Sequence, residues 1–228
     1  MKSMEVTEEP NLTRSERTRL RIMRTAERMF GSEGINGPSL RQIASAARQS
    51  NGSVIQYHFE DKDNLIREIM LTRVREMESC RHAMLKAAEE SGQLDDLATL
   101  LRILCLPHIE LRDPDGRFPF SEFLIEFMLR YRGPAGSSHP YDERPDMVPN
   151  LTRTLKLIGR RLHYMDAEFI SRRSMTAVMI FLYNLISANE QGIKGAQFDR
   201  RIEDAILMGA QAMLAPLPPL APDHATVD

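Results

Sequence analysis

Apolar residues recur at helical spacing from Arg17 almost to the C-terminus, and no run alternates apolar and polar residues between turn-forming residues. This constrains the fold most, because a period near 3.6 buries one stripe of a helix whereas a half-buried strand needs a period of 2. The chain is expected to be all-α. A first helix is predicted over 15–33, where Ile22, Ala26, Met29 and Phe30 form one stripe and Gly34 can end it in a left-handed cap. Pro38 and Ser39 open a short second helix, with Gln42 completing a capping box and Leu40, Ile43, Ala44 and Ala47 on its buried face. A polar break over 48–52 leads to a third short helix, 51–58, with Asn51 as its N-cap and with Ile55 and Phe59, four residues apart, facing the first two helices. Asp61 can cap a long fourth helix over 62–91, and periodic segments follow at 94–112, 117–132, 147–164, 167–191 and 198–214. The stretch 133–146, with three prolines, reads as a mobile surface loop, and the Pro-rich end from 215 reads as extended.

These boundaries suggest a small unit over 14–61 and a larger one over 62–214, with 1–13 and 215–228 as flexible tails. A chain of 228 residues that is 42% hydrophobic can bury cores for both. Net charge is -2, yet residues 14–67 hold ten Lys/Arg against six Asp/Glu, so the small unit is the basic one. Local positive charge suits phosphates, although many domains that never meet nucleic acid carry as much. The N-terminus is acidic without the apolar run of a secretory signal, and no stretch offers about 18 uninterrupted apolar residues, so a cytoplasmic location without membrane contact is expected. Cys80 and Cys105 form no CxxC pair and read as free thiols.

Two short helices closed over by a longer one are the minimum needed to place one helix in the major groove of DNA. The residues that carry this are the run Ala26 to Gly34, with Phe30 near its end; Ser39, Leu40, Arg41, Gln42, Ile43 and Ala44; Gln56, Tyr57, His58 and Phe59; and Asp61 to Leu65. In this order the stretch 17–69 resembles the DNA-binding domain of the tetracycline-repressor (TetR) family. One departure is that Gln49 stands at the turn where the family often has glycine. The resemblance implies an all-helical, ligand-responsive transcriptional regulator, most often a repressor, that binds palindromic operator DNA as a homodimer and needs no cofactor.

Within that frame the third helix is the recognition helix. Its outer side presents Gly52, Ser53, Gln56 and Tyr57, followed by His58. A glutamine amide can pair with adenine through two hydrogen bonds, while Ser53 and Tyr57 suit phosphate oxygens or thymine methyls. Ser39 and Arg41 at the start of the second helix are candidates for flanking phosphates, since helix N-termini favour anions. Lys62 is the expected phosphate clamp. Arg14, Arg17, Arg19 and Arg21 can form an electrostatic fringe or simply a solvated helix start.

The segment 174–186 is apolar almost all round and must be buried on more than one side. With 202–214 it resembles the two helices through which the family dimerises as a four-helix bundle, and Ala188, Gly209 and Ala210 would let helices approach closely. A charge at Ala210 or Met213 is then expected to split the dimer. Leu101, Leu104, Phe120, Phe123, Leu124, Phe127, Met128, Leu157, Met179 and Tyr183 are core by default, but such a density of Phe and Met also suits a cavity for a small apolar effector. The candidate pocket is Leu104, Phe120, Phe123, Phe127, Met128, Met179, Tyr183 and Asn184, with Glu126, Tyr183 and Asn184 to orient a ligand. The long fourth helix is the expected lever between the two units. Control by a protein partner instead of a small molecule is the alternative, because apolar faces look alike in both cases.

Two other classes are disfavoured. Glu122 and Glu126 lie one helical turn apart but lack a partnered His or Ser, so catalysis is not expected. Cys80 with His82, and Cys105 with His108, could suggest a metal; residues two apart on a helix point to different faces, and no metal is expected.

Overall fold

The computed structural model describes residues 12–49, 53–130 and 144–217. Within them the chain is all-helical: α1 (Arg14–Glu33), α2 (Leu40–Ala46), α3 (Ser53–Phe59), α4 (Lys62–Glu76), α5 (Glu78–Glu90), α6 (Leu97–Cys105), α7 (Pro119–Arg130), α8 (Pro149–Arg161), α9 (Ala167–Glu190) and α10 (Ala196–Leu214), with 3-10 turns at Leu106–Leu111 and Pro145–Met147. Asn51, Gly52 and most of the expected 133–146 loop lie outside the described residues, as do 1–11 and 218–228. Among the described residues no helix is long and apolar enough to cross a membrane, and no group of three or more His, Cys, Asp or Glu could hold a metal ion.

Helix starts follow local chemistry. Thr13, expected in a flexible tail, is instead the N-cap of α1 in a capping box with Glu16, and Ser39 with Gln42 forms the expected box on α2. Asp61 accepts the Asn64 N–H at 2.8 Å and Asp96 accepts that of Thr99 at 2.9 Å. Gly34 ends α1 with φ 81°, but its ψ of 155° is not left-handed helical; it is a region open essentially to glycine alone. After α2 the Gln49 N–H reaches back to the Ala44 carbonyl and the Arg48 N–H to that of Ser45, the Schellman pattern. The left-handed position is therefore Arg48, at φ 54°, and not Gln49. The same pattern after α5 and α9 is built on Gly92 and Gly192.

The small unit closes over Ile22, Ala26, Phe30, Ile43, Ala47, Ile55 and Phe59, all buried, and fully burying each large side chain stabilises by about 1.5–3 kcal/mol. Arg73 of α4 donates to both carboxylate oxygens of the buried Glu27 of α1, at 2.6 and 3.0 Å. Burial raises the pKa of Glu27, while the Glu27 and Glu76 carboxylates hold Arg73 protonated.

The expected single helix over 62–91 is broken at Met77. There Nη1 of Arg81 donates to the Val74 carbonyl at 3.1 Å, an acceptor that an unbroken helix would give to the N–H of residue 78. The helix expected over 94–112 likewise stops at Cys105, because Pro107 has no N–H to continue the ladder, and the chain goes on as a 3-10 turn. α8 has no side-chain cap of its own; the Glu78 carboxylate at the start of α5 accepts the N–H groups of Asn150 and Leu151 at 2.7 and 3.0 Å. α9 and α10 pack on each other more extensively than any other pair of helices. A Cβ on Gly209 would come within 2.8 Å of Leu101 Cδ2 and 3.3 Å of the Ala177 carbonyl oxygen, so glycine sets how closely α10 approaches α6 and α9.

Candidate functional site

On α3, Ile55 and Phe59 point into the core as the spacing predicted, which turns Ser53, Gln56 and Tyr57 outward. Tyr57 is 81% exposed, an unusual position for a large aromatic ring in a small unit whose other large apolar groups are buried or half-buried. His58 is half-buried, edge-on to Tyr57, and burial followed by the nearby charge of Arg19 lowers its pKa. The hydroxyl of Ser39 is engaged with Gln42 as a helix cap, and Arg41 is exposed at the same helix start.

Two cations are more tightly tied than the sequence suggested. Nζ of Lys62 donates to the Pro38 carbonyl at 2.8 Å and lies 5.4 Å from the centre of the Phe30 ring, and its partial burial lowers its pKa. It thus fastens the entry of α2 to the start of α4; an ammonium has three donors, so this tie does not exhaust it. Arg19 is paired with Glu68 and stacked 5.1 Å over Phe59, which makes it a strut between α1 and α4 and takes it out of the expected fringe. Arg14, Arg17 and Arg21 are exposed.

The larger unit holds a half-open cavity of about 400 Å³ between α4, α5, α6, α7, α8 and the first half of α9. Of the expected lining, Leu104, Phe120 and Met128 are there. Phe123 and Phe127 are not, because residues 120, 124 and 128 share one face of α7 while 123 and 127 lie on another, where Phe123 meets Phe30 of α1 at 6.2 Å between ring centres. Tyr183 is 65% exposed on the outside of α9, and Met179 lies off the face of Ser171, Ser174, Met175 and Val178 that lines the cavity. Asn184 bonds the Ile180 carbonyl and Arg201, tying α9 to α10. Glu126 pairs with Arg130 at 2.9 Å, and Glu122 contacts Arg117 at 3.5 Å.

Several cavity residues were not foreseen. Leu151, Leu155 and Ile158 follow the helical period of α8 and could have been found from it. Arg81 carries no such signal, since an arginine inside a helical segment reads as solvated surface. His108 is fully buried, stacked on Phe120 at 5.4 Å and 12°, with Nδ1 3.4 Å from the Ser121 hydroxyl. Burial, aided by the charge of Arg81, pushes its pKa down to about 3, so the ring is neutral at ordinary pH.

α7 joins the two regions. Its Phe120, Leu124 and Met128 face the cavity, while on its other side Glu122 and Phe123 press against α1 at Gly31, where a Cβ would come within 2.9 Å of Glu122 Cβ. α1 packs far more on α7 than on α4, so the expected lever, α4, is the lesser of the two connections.

Residues 22–69 match the family described as bacterial regulatory proteins, tetR family, which covers α2, α3, most of α1 and the first half of α4. A search of curated proteins finds no match. Among solved structures, the chain is similar to a protein from Mesorhizobium loti MAFF303099 described as a TetR-family transcriptional regulator, with 17% identity, 88% of this chain and 98% of that one covered, and a TM-score of 0.41. It is also similar to HlyIIR, a hemolysin II transcriptional regulator, with 18% identity, coverage of 83% and 97%, and a TM-score of 0.46. A transcriptional regulator from Rhodococcus sp. RHA1 gives 17% identity, coverage of 86% and 96%, and a TM-score of 0.38. The match to the family is confined to residues 22–69.

Proposed function

We propose that this chain, whose residues 22–69 match the tetR family of bacterial regulatory proteins, is a homodimeric repressor that binds palindromic operator DNA and releases it when a small molecule fills the cavity. The observation that carries the reading is the outer face of α3, where Gln56 and the 81%-exposed Tyr57 are held outward by the buried Ile55 and Phe59 on a basic unit. Gln56 reads a base edge; Tyr57 and Ser53 approach base and backbone; Ser39, Arg41, His58 and Lys62 position the phosphates. Lys62 acts while tied to Pro38, so it also sets where α2 begins.

Two copies related by a two-fold axis read inverted half-sites about 34–36 Å apart. The dimer forms through α9 and α10, and the support is the exposure of Tyr183, Leu207 and Met208 on a helix pair whose inner residues are already used within the protomer. Ala210 and Met213 are among those inner residues, so a charge there unfolds the protomer instead of merely dividing the dimer. Leu207→Glu combined with Met208→Glu is the variant that yields folded monomers; sedimentation as a dimer at micromolar concentration refutes this interface. In the repressor, ligand in the cavity displaces α7, and α7 shifts α1 through the Gly31 contact, which changes the spacing of the two recognition helices.

The test of DNA reading is selection of a bound duplex from a random pool, followed by titration at several salt concentrations. Gln56→Ala should lose about 1–3 kcal/mol of discrimination at one position per half-site and leave the salt slope unchanged. Unchanged base preference in that variant means that α3 does not read the sequence through this face.

A further inference from the structure

In the wall of the cavity His108 is a polar side chain whose hydrogen bonding is half complete. It is 4% exposed, with its ring flat against Phe120, which also lines the chamber, and edge-on to Phe181 at 6.1 Å. Nδ1 meets the Ser121 hydroxyl at 3.4 Å, a long contact, while Nε2 has no hydrogen-bond partner among the described residues. Ser121 is itself buried, and among the described residues Nδ1 is the one acceptor open to its hydroxyl. The hydroxyl therefore donates to Nδ1, because an N–H at Nδ1 would leave the hydroxyl proton buried without an acceptor. The single proton of the neutral ring then sits on Nε2. Other polar side chains of the lining have structural work: Arg81 donates to the Val74 carbonyl at 3.1 Å and pairs with Glu78 at 3.5 Å, and Ser174 donates to the Ile170 carbonyl at 2.7 Å.

We infer that the cavity takes an uncharged, largely apolar carbonyl compound, a ketone or an ester, whose oxygen accepts a hydrogen bond from Nε2–H of His108. This rests on the reading of the cavity as an effector site and adds the chemical class of the ligand and the residue that selects it. A donor left bare in an apolar chamber costs more than a net hydrogen bond gains, so an acceptor is favoured over hydrocarbon of the same shape on both counts. The ring offers a dipole and no charge, which suits a neutral oxygen and does little to offset the desolvation of an ion. Phe120 on one face and Ser121 at Nδ1 fix the imidazole before any ligand arrives, so the direction of the donor is set in advance. At about 30 Å³ per water-sized group, 400 Å³ holds roughly 13 heavy atoms, the size of a small ketone with an alkyl or aryl body. Met70, Met77, Met128 and Met175 give the walls flexible thioether side chains that conform to either body.

The experiment uses the full chain and two probes of one shape: butyrophenone, and 2-phenyl-1-pentene, in which a methylene group replaces the carbonyl oxygen. Each is titrated into the wild type, His108→Phe and His108→Gln. The ratio of ketone to alkene affinity cancels what either probe gains by leaving water, because that gain is the same for every variant. His108→Phe keeps a ring against Phe120 without the donor and should lower this ratio about tenfold, whereas His108→Gln, which retains an N–H, should keep part of the preference. Nitrogen-15 spectra of the wild-type imidazole should show the proton on Nε2, with a resonance that moves when the ketone is added and not when the alkene is. Circular dichroism melts establish that the variants fold; if His108→Phe does not, the spectra and His108→Gln decide. A ratio unchanged in His108→Phe, a proton on Nδ1, or no binding by either probe overturns the inference. Adding the duplex selected above separates it from the regulatory reading. Butyrophenone that binds through His108 yet leaves DNA affinity unchanged upholds the ligand class and sinks the release mechanism, whereas release of DNA by both probes alike, in wild type and His108→Phe, does the reverse.

Discussion

Replacing Gly31 by alanine tests the contact that joins the DNA-binding helices to the cavity. The new Cβ would stand 2.9 Å from Glu122 Cβ and 3.1 Å from the Phe123 backbone nitrogen, whereas carbon atoms in good contact are about 3.5–4.0 Å apart. Neither neighbour is the tip of a flexible side chain, so α1 and α7 must separate by roughly 0.6 Å along a packed interface. Overpacking of this kind costs about 1–3 kcal/mol, and a rigid main-chain contact belongs near the top of that range. Alanine recovers about 1 kcal/mol of helix propensity over glycine. The net expectation is a loss of about 1–2 kcal/mol. Gly159→Ala in α8 is the internal control, because nothing lies within 4 Å of its Cβ and only the propensity gain of up to about 1 kcal/mol remains. The same chemical change should thus move stability in opposite directions at the two sites. Urea unfolding at one fixed protein concentration, which keeps any dimer linkage constant, measures both. A Gly31→Ala protein as stable as the wild type or more so would refute the tight contact, and with it the route from cavity to DNA through α7.

Arg48→Gly should stabilise the protein by about 0.5–1 kcal/mol in the absence of DNA, since a left-handed L-residue costs about 1–2 kcal/mol and glycine gives back part of that as backbone entropy; an unchanged urea midpoint contradicts the turn geometry. His108 has a folded pKa of about 3 against about 6.5 when unfolded, so its contribution is fully present above pH 6.5 and is lost as pH falls toward 3, by about 2–3 kcal/mol at pH 4.5. His108→Phe should remove that part of the acid sensitivity, and parallel stability profiles for wild type and variant between pH 4.5 and 7.5 rule it out.

The helical class, the boundaries of α1, α2, α9 and α10 and the outward residues of α3 were legible in the sequence because they depend on local chemistry and on a period of 3.6. Ser39 with Gln42 forms its capping box whatever lies beyond it, and Ile55 and Phe59 select the buried face of a two-turn helix. The break at Met77 was not legible, since the Val74 carbonyl there is taken by Arg81, and nothing in the hydrophobic pattern distinguishes that arginine from a solvated one.

The residues of the cavity were only partly legible for a related reason. Aromatic density marks α7 as buried without saying which face meets which neighbour: Phe120 lines the chamber, Phe123 presses on α1, and Tyr183, equally apolar in sequence, lies outside. Likewise the ammonium of Lys62 is held by the Pro38 carbonyl, a partner 24 residues away. Periodicity and capping act within one or two turns of a helix and are therefore written in the sequence itself. Which helix covers which face, and where a buried charge finds its partners, is decided only when distant segments pack, because burial and electrostatics depend on neighbours in space.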